Sequence, residues 1–236
     1  MDESRMAIRE FMDLHYRHFN ARETVAAAQG WCNLLDRGGK MMLTLAGAMS
    51  TAEIGISLAK MIRAGKVHAI SCTAANLEED VFNLVAHNEY CVVDNWRDLT
   101  PLDEEKLRND GFNRVTDTGI PETVLRHLEK KLQMLWAEAA DSGNSYFPCE
   151  YFYKLFEDRS LDDVFQIPKE HSWLYAAWEM NIPVFSPGFE DSTLGNIFTA
   201  HVIEGDVKSH AAVKSGTQQM EKLVRWYLEH HEEGIG

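Results

Sequence analysis

The stretch 41–73, MMLTLAGAMSTAEIGISLAKMIRAGKVHAISCT, decides the fold. It begins with a short, continuous apolar run over residues 41–47, and both features are typical of a buried strand. A helical pattern starts near Ser50, and a second apolar run covers residues 67–73. The order strand, helix, strand predicts a βαβ unit, which is the building block of a parallel sheet covered by helices.

The helix inside this stretch carries recognisable end signals. Ser50 or Thr51 is expected to cap its N-terminus, because a side-chain oxygen accepts a hydrogen bond from a free N–H group of the first turn. Lys60 and Arg63 suit the negative end of the helix dipole, and Gly65 is expected to end the helix.

The same pattern continues on both sides of the βαβ unit. Residues 1–37 look helical, with Asn20 as a predicted cap. The other predicted elements are helices over residues 76–88, 172–181 and 218–231 and sheet strands over residues 90–95 and 182–186. Together they predict an α/β fold with a doubly wound, Rossmann-like parallel sheet and helices on both faces.

The domain organisation follows from these elements. Residues 1–40 are predicted to form an N-terminal helical segment, and residues 41–236 a single domain. Residues 96–170 change character and are interpreted as an insertion between sheet strands. Within it, Asp110-Gly111 and Gly119-Ile120-Pro121 are typical of loops, and residues 122–140 predict a helix.

Charge narrows the possible partners. The chain has 37 acidic and 23 basic residues and a net charge of −14. Nucleic acids and anionic membranes are therefore not expected to bind, because both require basic patches. A cationic ligand is compatible with this charge, although most of the acidic residues are expected on the solvated surface.

The sequence also indicates a cytoplasmic protein. No apolar stretch approaches the roughly 20 residues that span a bilayer, and the first residues lack the pattern of a secretory signal. The cysteines are too widely scattered for a zinc site or a disulfide framework; they are Cys32, Cys72, Cys91 and Cys149. The cluster His230–Glu233 is interpreted as a solvated helix end, and no nucleophile motif is present.

Polar residues follow three of the predicted strands. The segments are GAMSTAE (47–53), CTAANLEED (72–80) and SPGFEDSTLGN (186–196). In open parallel sheets, ligands bind beyond the carboxyl ends of the strands, and helix N-termini there hold phosphates. The segments favour a dinucleotide site, although helix capping alone also explains Ser50, Thr51 and Asn76.

The adjacent acids Glu78 and Glu79 have two interpretations. Acids in the first turn of a helix usually complement the dipole. If the two side chains instead face a cleft, they attract an ammonium group. At about 4 Å and an effective dielectric constant near 20, one such pair gains roughly 4 kcal/mol before desolvation.

Four segments together resemble the deoxyhypusine synthase family and its bacterial homospermidine-synthase-like relatives. They are LTLAGAMSTAEIG (43–55), SCTAANLEED (71–80), DGFNRVTDTGIP (110–121) and IPVFSPGFEDSTLGN (182–196). The resemblance covers residues 40–205. It implies an NAD-binding fold in a homotetramer, in which NAD takes hydride from spermidine. The aminobutyl group then passes through an imine on a lysine to an acceptor amine, either a translation-factor lysine or putrescine.

The resemblance also implies which residues form the site. Cofactor contacts are expected at Ser50, Thr73, Ala74, Glu79 and Asp191. Polyamine contacts are expected at Glu78, Glu79 and Asn196.

Two departures bear on these expectations. Asn196 stands where eukaryotic members have an aspartate that contacts spermidine, and Ala75-Asn76 replaces a Gly-Gly pair. The family's glycine-rich segment and imine-forming lysine are expected beyond Gly236, so no catalytic residue is assigned here. This favours a truncated family member, with a regulatory subunit for a full-length paralogue or a generic nucleotide-binding protein as alternatives.

Overall fold

The structure is a computed structural model of the chain, and it describes residues 3–236, with side chains from residue 8 onward. The helices are α1 (Glu3–His15), α2 (Phe19–Asp36), α3 (Gly55–Arg63), α4 (Ala74–Ala86), α5 (Pro101–Asn109), α6 (Val124–Asp141), α7 (Pro148–Glu157), α8 (Trp173–Glu179), α9 (Thr193–Glu204) and α10 (Gly216–His230). The strands are β1 (Met42–Leu45), β2 (Ala69–Cys72), β3 (Cys91–Val92), β4 (Phe112–Val115), β5 (Thr118–Pro121) and β6 (Val184–Phe185).

The chain divides into two compact units. One contains the residues up to Met42 together with Trp226–Gly236, and the other contains Leu43–Arg225. In the smaller unit, Lys40 pairs with the end of the chain, since its N–H group donates to the Gly234 carbonyl at 2.9 Å. The predicted domain boundary at residue 40 stays a prediction. Among the described residues, no helix is both long enough and apolar enough to cross a bilayer.

The predicted α/β fold is confirmed. Strands β1, β2 and β6 form one sheet in the order β1-β2-β6, and β2 and β6 run parallel with Ile70 opposite Val184. The apolar run of residues 67–73 places Val67, Ala69 and Ile70 in the core. Helices surround this sheet, so the strands are continuous apolar runs rather than alternating ones.

Side chains complete the backbone hydrogen bonds along the far edge of β6. Because the Pro183 carbonyl accepts a bond from Ile70 of β2, the groups of Val184 and Ser186 point to the other side. There the Val184 carbonyl accepts a bond from the Cys149 thiol at 3.5 Å. The side-chain amide of Gln219 binds both the N–H and the C=O of Ser186, at 2.7 and 2.8 Å.

The prediction of a third parallel strand at residues 90–95 is wrong. Strand β3 belongs to a second, antiparallel sheet of order β3-β5-β4, in which Cys91 lies opposite Gly119. Strand β5 covers the Gly119–Pro121 segment that its glycine and proline had marked as a loop. A Cβ at Gly119 would lie 2.5 Å from the Cys91 sulfur, so the glycine permits the close pairing of the two strands.

The predicted caps of two helices, Asn20 for the first and Ser50 or Thr51 for the second, are also wrong. Helix α2 begins one residue before Asn20, and its N-cap His18 makes no side-chain cap. Helix α3 begins only at Gly55, beyond Ser50 and Thr51, which lie in a preceding turn. A Cβ at Gly55 would lie 2.2 Å from the His171 carbonyl oxygen, so the glycine lets the first turn of α3 pack closely against that backbone.

Helix α4 is the centre of the larger unit. Every one of its residues except Ala75 is buried, including three consecutive acids and two asparagines. Helices that are buried on all sides are usually apolar, and buried carboxylates need partners. The partners of these side chains define the candidate site.

Candidate functional site

A cleft of about 540 Å³ lies where the three strands of the parallel sheet end. Gly47 follows β1, Cys72–Ala75 connects β2 to α4, and Gly188 and Asp191 follow β6; all of them line the cleft. Each of the three polar segments that follow a strand in the sequence contributes to it. Its size lies within the range of about 300–1,000 Å³ that is typical of small-molecule sites.

Two glycines keep the cleft open. A Cβ added to Gly47 or Gly188 would meet no other atom within 4 Å, so it would project into free space in or beside the cleft. Gly47 also has a φ of +63°, a left-handed conformation that costs other residues energy. The backbone at these two positions is therefore accessible to a ligand.

Thr73 and Asn76 fasten the loop after β1 to the start of α4. Thr73 is the N-cap of α4, and its hydroxyl also donates to the Gly47 carbonyl at 3.1 Å. The Asn76 amide donates to the same carbonyl at 2.8 Å and accepts from the Ser50 N–H at 2.9 Å. Asn76 is thus a bridge between two loops rather than the helix cap considered above.

Ser50 does not line the cleft. The residue is 1% exposed, and its hydroxyl donates to the Asn76 carbonyl at 2.7 Å while accepting from the Trp173 indole N–H at 2.9 Å. Both bonds of the hydroxyl are made to other residues of the protein. The structure therefore gives Ser50 a structural position where a cofactor contact was predicted.

An acid of α4 closes the N-terminus of helix α8. Asp80 accepts bonds from the N–H groups of Trp173 and Leu174 at 3.2 and 3.0 Å and from the Ser172 hydroxyl. Ser172, the N-cap, accepts in turn from the third N–H of the helix. Burial raises the pKa of Asp80 to about 6, although these hydrogen bonds act in the opposite direction.

A second acid of α4 closes helix α9 in the same way. Glu78 accepts from the N–H groups of Thr193 and Leu194 at 3.1 and 2.8 Å. Ser192 is the N-cap and accepts from Gly195. Burial raises the pKa of Glu78, and the bonds from Leu194 and Thr193 oppose that shift. Glu78, a predicted polyamine contact, is therefore bound to protein N–H groups.

Helix α4 itself has the same N-terminal arrangement without a closing acid. Its N-cap Thr73 accepts a bond from the third N–H group, that of Asn76. The first two N–H groups belong to Ala74 and Ala75, and no acceptor for them lies among the described residues. Both alanines line the cleft. The helix thus presents two free donors and the positive end of its dipole there.

Glu79 differs from the acids on either side of it. It is 8% exposed, and its Oε2 atom is buried without a hydrogen-bond partner. Burial, followed by the charge of Glu78, raises its pKa to about 7, while a bond from the Thr51 backbone lowers it. The hydroxyls of Thr51 and Tyr90 are also buried without partners. The charge of Glu79 contributes to a raised pKa of Tyr90, after burial.

Of the other predicted contacts, one lines the cleft and the others do not. Asp191 lines the cleft with an exposed side chain. Asn196 is exposed on α9, where its amide donates to the Ser192 carbonyl at 2.7 Å, and it does not line the cleft. Glu79 does not line the cleft either; it lies five residues after Ala74, roughly 7 Å along the helix axis.

Some residues of this region were not predicted. Gly47 and Gly188 were inside the polar segments, and the turn chemistry of glycine was a usable signal. Nothing in the sequence indicated Tyr90, because its proximity to Glu79 depends on the path of the chain after α4.

The fold and the cleft define an α/β protein with a ligand-sized cleft at the carboxyl ends of its parallel strands. The family model described as deoxyhypusine synthase matches residues 11–235. The chain belongs to the deoxyhypusine synthase family.

Individual relatives are distant and longer. A "Deoxyhypusine synthase-like protein" of Chlorobaculum parvum is 26% identical over 204 residues, which cover 85% of this chain and 53% of the relative. A "Probable deoxyhypusine synthase" of Thermococcus onnurineus is 23% identical, with 84% and 59% covered. The chain spans between half and three fifths of the length of these relatives.

A solved structure supports the fold. The crystal structure of a "putative deoxyhypusine synthase" from Entamoeba histolytica has a TM-score of 0.51 and 14% identity to this chain. The match covers 80% of this chain and 53% of that one.

Proposed function

We propose that the chain takes part in NAD-dependent transfer of an aminobutyl group from spermidine to an acceptor amine. The acceptor is putrescine, which gives homospermidine, or a translation-factor lysine, which gives deoxyhypusine. The observation that carries this proposal is the open N-terminus of α4 in the cleft of a deoxyhypusine synthase family member. As the family resemblance implies, the protein is proposed to act as a cytoplasmic homotetramer.

The residues of the cleft fit a pyridine dinucleotide. The free N–H groups of Ala74 and Ala75 and the dipole of α4 suit a pyrophosphate. Gly47 and Gly188 let a ligand approach the backbone. The exposed Asp191 is able to accept hydrogen bonds from ribose hydroxyls. NAD, when bound, supplies the hydride acceptor; the protein residues bind it and fix its orientation.

The buried carboxylate of Glu79 fits a cationic substrate. Its unpaired Oε2 costs folding free energy, and a nearby ammonium group would stabilise its charged form. Glu78 is already bound by two N–H groups of α9, so we assign the polyamine contact to Glu79 and a positioning role to Glu78.

A second candidate is a regulatory subunit that binds a full-length paralogue. One observation favours it: among the described residues, no lysine lines the cleft. In that case the chain binds the cofactor or polyamine but does not form the imine.

A pair of neighbouring acids provides a test of cofactor binding. Asp191→Asn is expected to weaken NAD binding about tenfold or more, because one hydrogen bond to a charged acceptor contributes roughly 1.5–3 kcal/mol. Glu190→Gln is the matched control, since Glu190 is also exposed but does not line the cleft. Calorimetric titration with NAD measures both. Equal affinities of the two variants would remove Asp191 from the site.

The reaction is tested by mass spectrometry of products. The chain is incubated with NAD and spermidine, alone, with putrescine, or with a translation-factor substrate. Formation of homospermidine or deoxyhypusine by the chain alone supports catalysis. Product in excess of what a full-length relative makes by itself supports the regulatory subunit. NAD binding with neither product from the chain alone nor any effect on the relative would contradict both.

A further inference from the structure

A histidine near the end of α9 lies between three carboxylates. His201 and Glu204 are three residues apart and therefore share one face of the helix. Gly205 then adopts a left-handed conformation, with φ of 88°, which turns the chain so that Asp206 returns towards His201. The His201 Nδ1 atom lies 3.0 Å from Asp206 and 3.9 Å from Glu204.

Helix α6 supplies the other side of this cluster. The Glu129 carboxylate lies 3.3 Å from the Nε2 atom of His201. Gln133, one turn further along α6, donates to Asp206 at 2.8 Å and fixes its orientation. His201 itself is 8% exposed, and its Nε2 atom is buried without a hydrogen-bond partner.

A neutral imidazole does not satisfy both sides of this arrangement. If the proton is on Nδ1, it is donated to Asp206, and the lone pair of Nε2 faces Glu129. If the proton is on Nε2, the lone pair of Nδ1 faces Asp206 and Glu204. In either form, one ring nitrogen presents its lone pair to a carboxylate, and the two repel each other. A cation between that nitrogen and the carboxylate removes the repulsion.

We propose that His201, Glu204 and Asp206 bind a divalent transition metal ion of the Zn²⁺ type. One ligand atom from each residue lies within 4.8 Å of the other two, so small side-chain movements bring them around one ion. Imidazole nitrogen with carboxylate oxygens suits Zn²⁺, whereas Mg²⁺ prefers oxygen ligands alone.

The surroundings match those of protein zinc sites. A histidine that binds zinc usually donates its other N–H group to a carboxylate, and the Glu129 carboxylate lies 3.3 Å from that nitrogen, within reach after a small side-chain movement. The side chains of Glu204 and Asp206 are 66% and 46% exposed, so the ion is reachable and keeps room for water. Because Glu129 and Gln133 belong to α6, the site links α6 to α9.

Calorimetric titration of the whole, chelator-treated chain with ZnCl₂ at pH 7.5 tests the proposal. One equivalent is expected to bind and to raise the thermal midpoint. Glu204→Gln and Asp206→Asn, which spare the buried histidine, are expected to weaken this binding at least about tenfold. His231→Ala is the control, because His231 is an exposed histidine outside the proposed site. X-ray absorption of the zinc complex should show one imidazole ligand with oxygen ligands.

Two outcomes would overturn the proposal. The first is the absence of saturable Zn²⁺ binding. The second is binding that His231→Ala abolishes and the two carboxylate variants leave unchanged. Neither of these results depends on NAD or polyamine binding.

Discussion

Helices α8, α9 and α4 have the same kind of N-cap, but they differ in what binds their first two N–H groups. Each has a hydroxyl residue at the N-cap that accepts a bond from the third N–H group. In α8 and α9, an acid of α4 binds the first two N–H groups. In α4, those two groups line the cleft without an acceptor among the described residues.

The three consecutive acids of α4 differ in whether their oxygens are already bound within the protein. Those that are bound have a structural role, and one that is not bound is available to a ligand. Asp80 and Glu78 are buried and fully engaged in holding two helices, so their charge is used within the fold. Glu79 is buried between them without a partner for one oxygen. Burial alone does not identify a functional carboxylate; burial without a partner does so better.

The largest expected effect comes from removing the acid that closes α8. Asp80→Ala leaves the N–H groups of Trp173 and Leu174 and the Ser172 hydroxyl unsatisfied in the core. We expect a loss of about 3–5 kcal/mol of unfolding free energy, measured by urea denaturation. Asp94→Ala, at an exposed position, is the control. A loss of less than about 1 kcal/mol would show that α8 does not depend on Asp80.

A smaller, pH-dependent effect is expected at Glu79. Its folded pKa is raised from 4.5 to about 7, so its contribution to stability is complete below pH 4.5 and is lost as the pH rises through 7. Glu79→Gln should therefore stabilise the chain by about 1–3 kcal/mol at pH 8 and have little effect near pH 4.5. Denaturation curves at both pH values measure this.

The neighbouring acid supplies the contrast for that experiment. Glu78→Gln is expected to destabilise the chain at pH 8, because the amide keeps only one of the two oxygens that accept from the N–H groups of Thr193 and Leu194. Calorimetry with spermidine adds a functional readout, since Glu79→Gln should also weaken its binding. If the two variants behaved alike, the distinction between engaged and free acids would fail.

The smallest effect is expected at the open helix end. Thr73→Val keeps the shape of the side chain but removes the hydroxyl that caps α4 and binds Gly47. A loss of about 1 kcal/mol is expected in thermal or urea unfolding. Ser142→Ala, at an exposed position after α6, is a suitable comparison. If the loss were as large as that of Asp80→Ala, the N-termini of α4 and α8 would contribute equally to the stability of the fold.

The sequence predicted the parallel sheet well because its strands depend on local patterns. Residues 41–47 and 67–73 are apolar runs of strand length, and the structure forms β1 and β2 within them. The antiparallel sheet was missed because its strands lack a continuous apolar run, although β4 and β5 are neighbours in sequence, with Val115 opposite Thr118. Strand β3 is only two residues long, and its partner β5 contains a glycine and a proline.

The candidate site was predictable in position and less so in detail. Residues after each strand were expected to converge, and Thr73, Ala74 and Asp191 line one cleft. The roles of Ser50, Glu78 and Asn76 depend on which buried groups they meet, such as the Trp173 indole or the start of α9. No spacing along the chain encodes those partners.

The side-chain amide of Gln219 makes the two hydrogen bonds with Ser186 that a neighbouring strand would make. It occupies both backbone groups there, and the Cys149 thiol occupies the Val184 carbonyl. Exposed strand edges invite other chains to add to a sheet, so this arrangement protects the protein from aggregation through β6. Any partner that extends the sheet on that side must first move α10, and growth of the sheet is thereby coupled to the position of a helix.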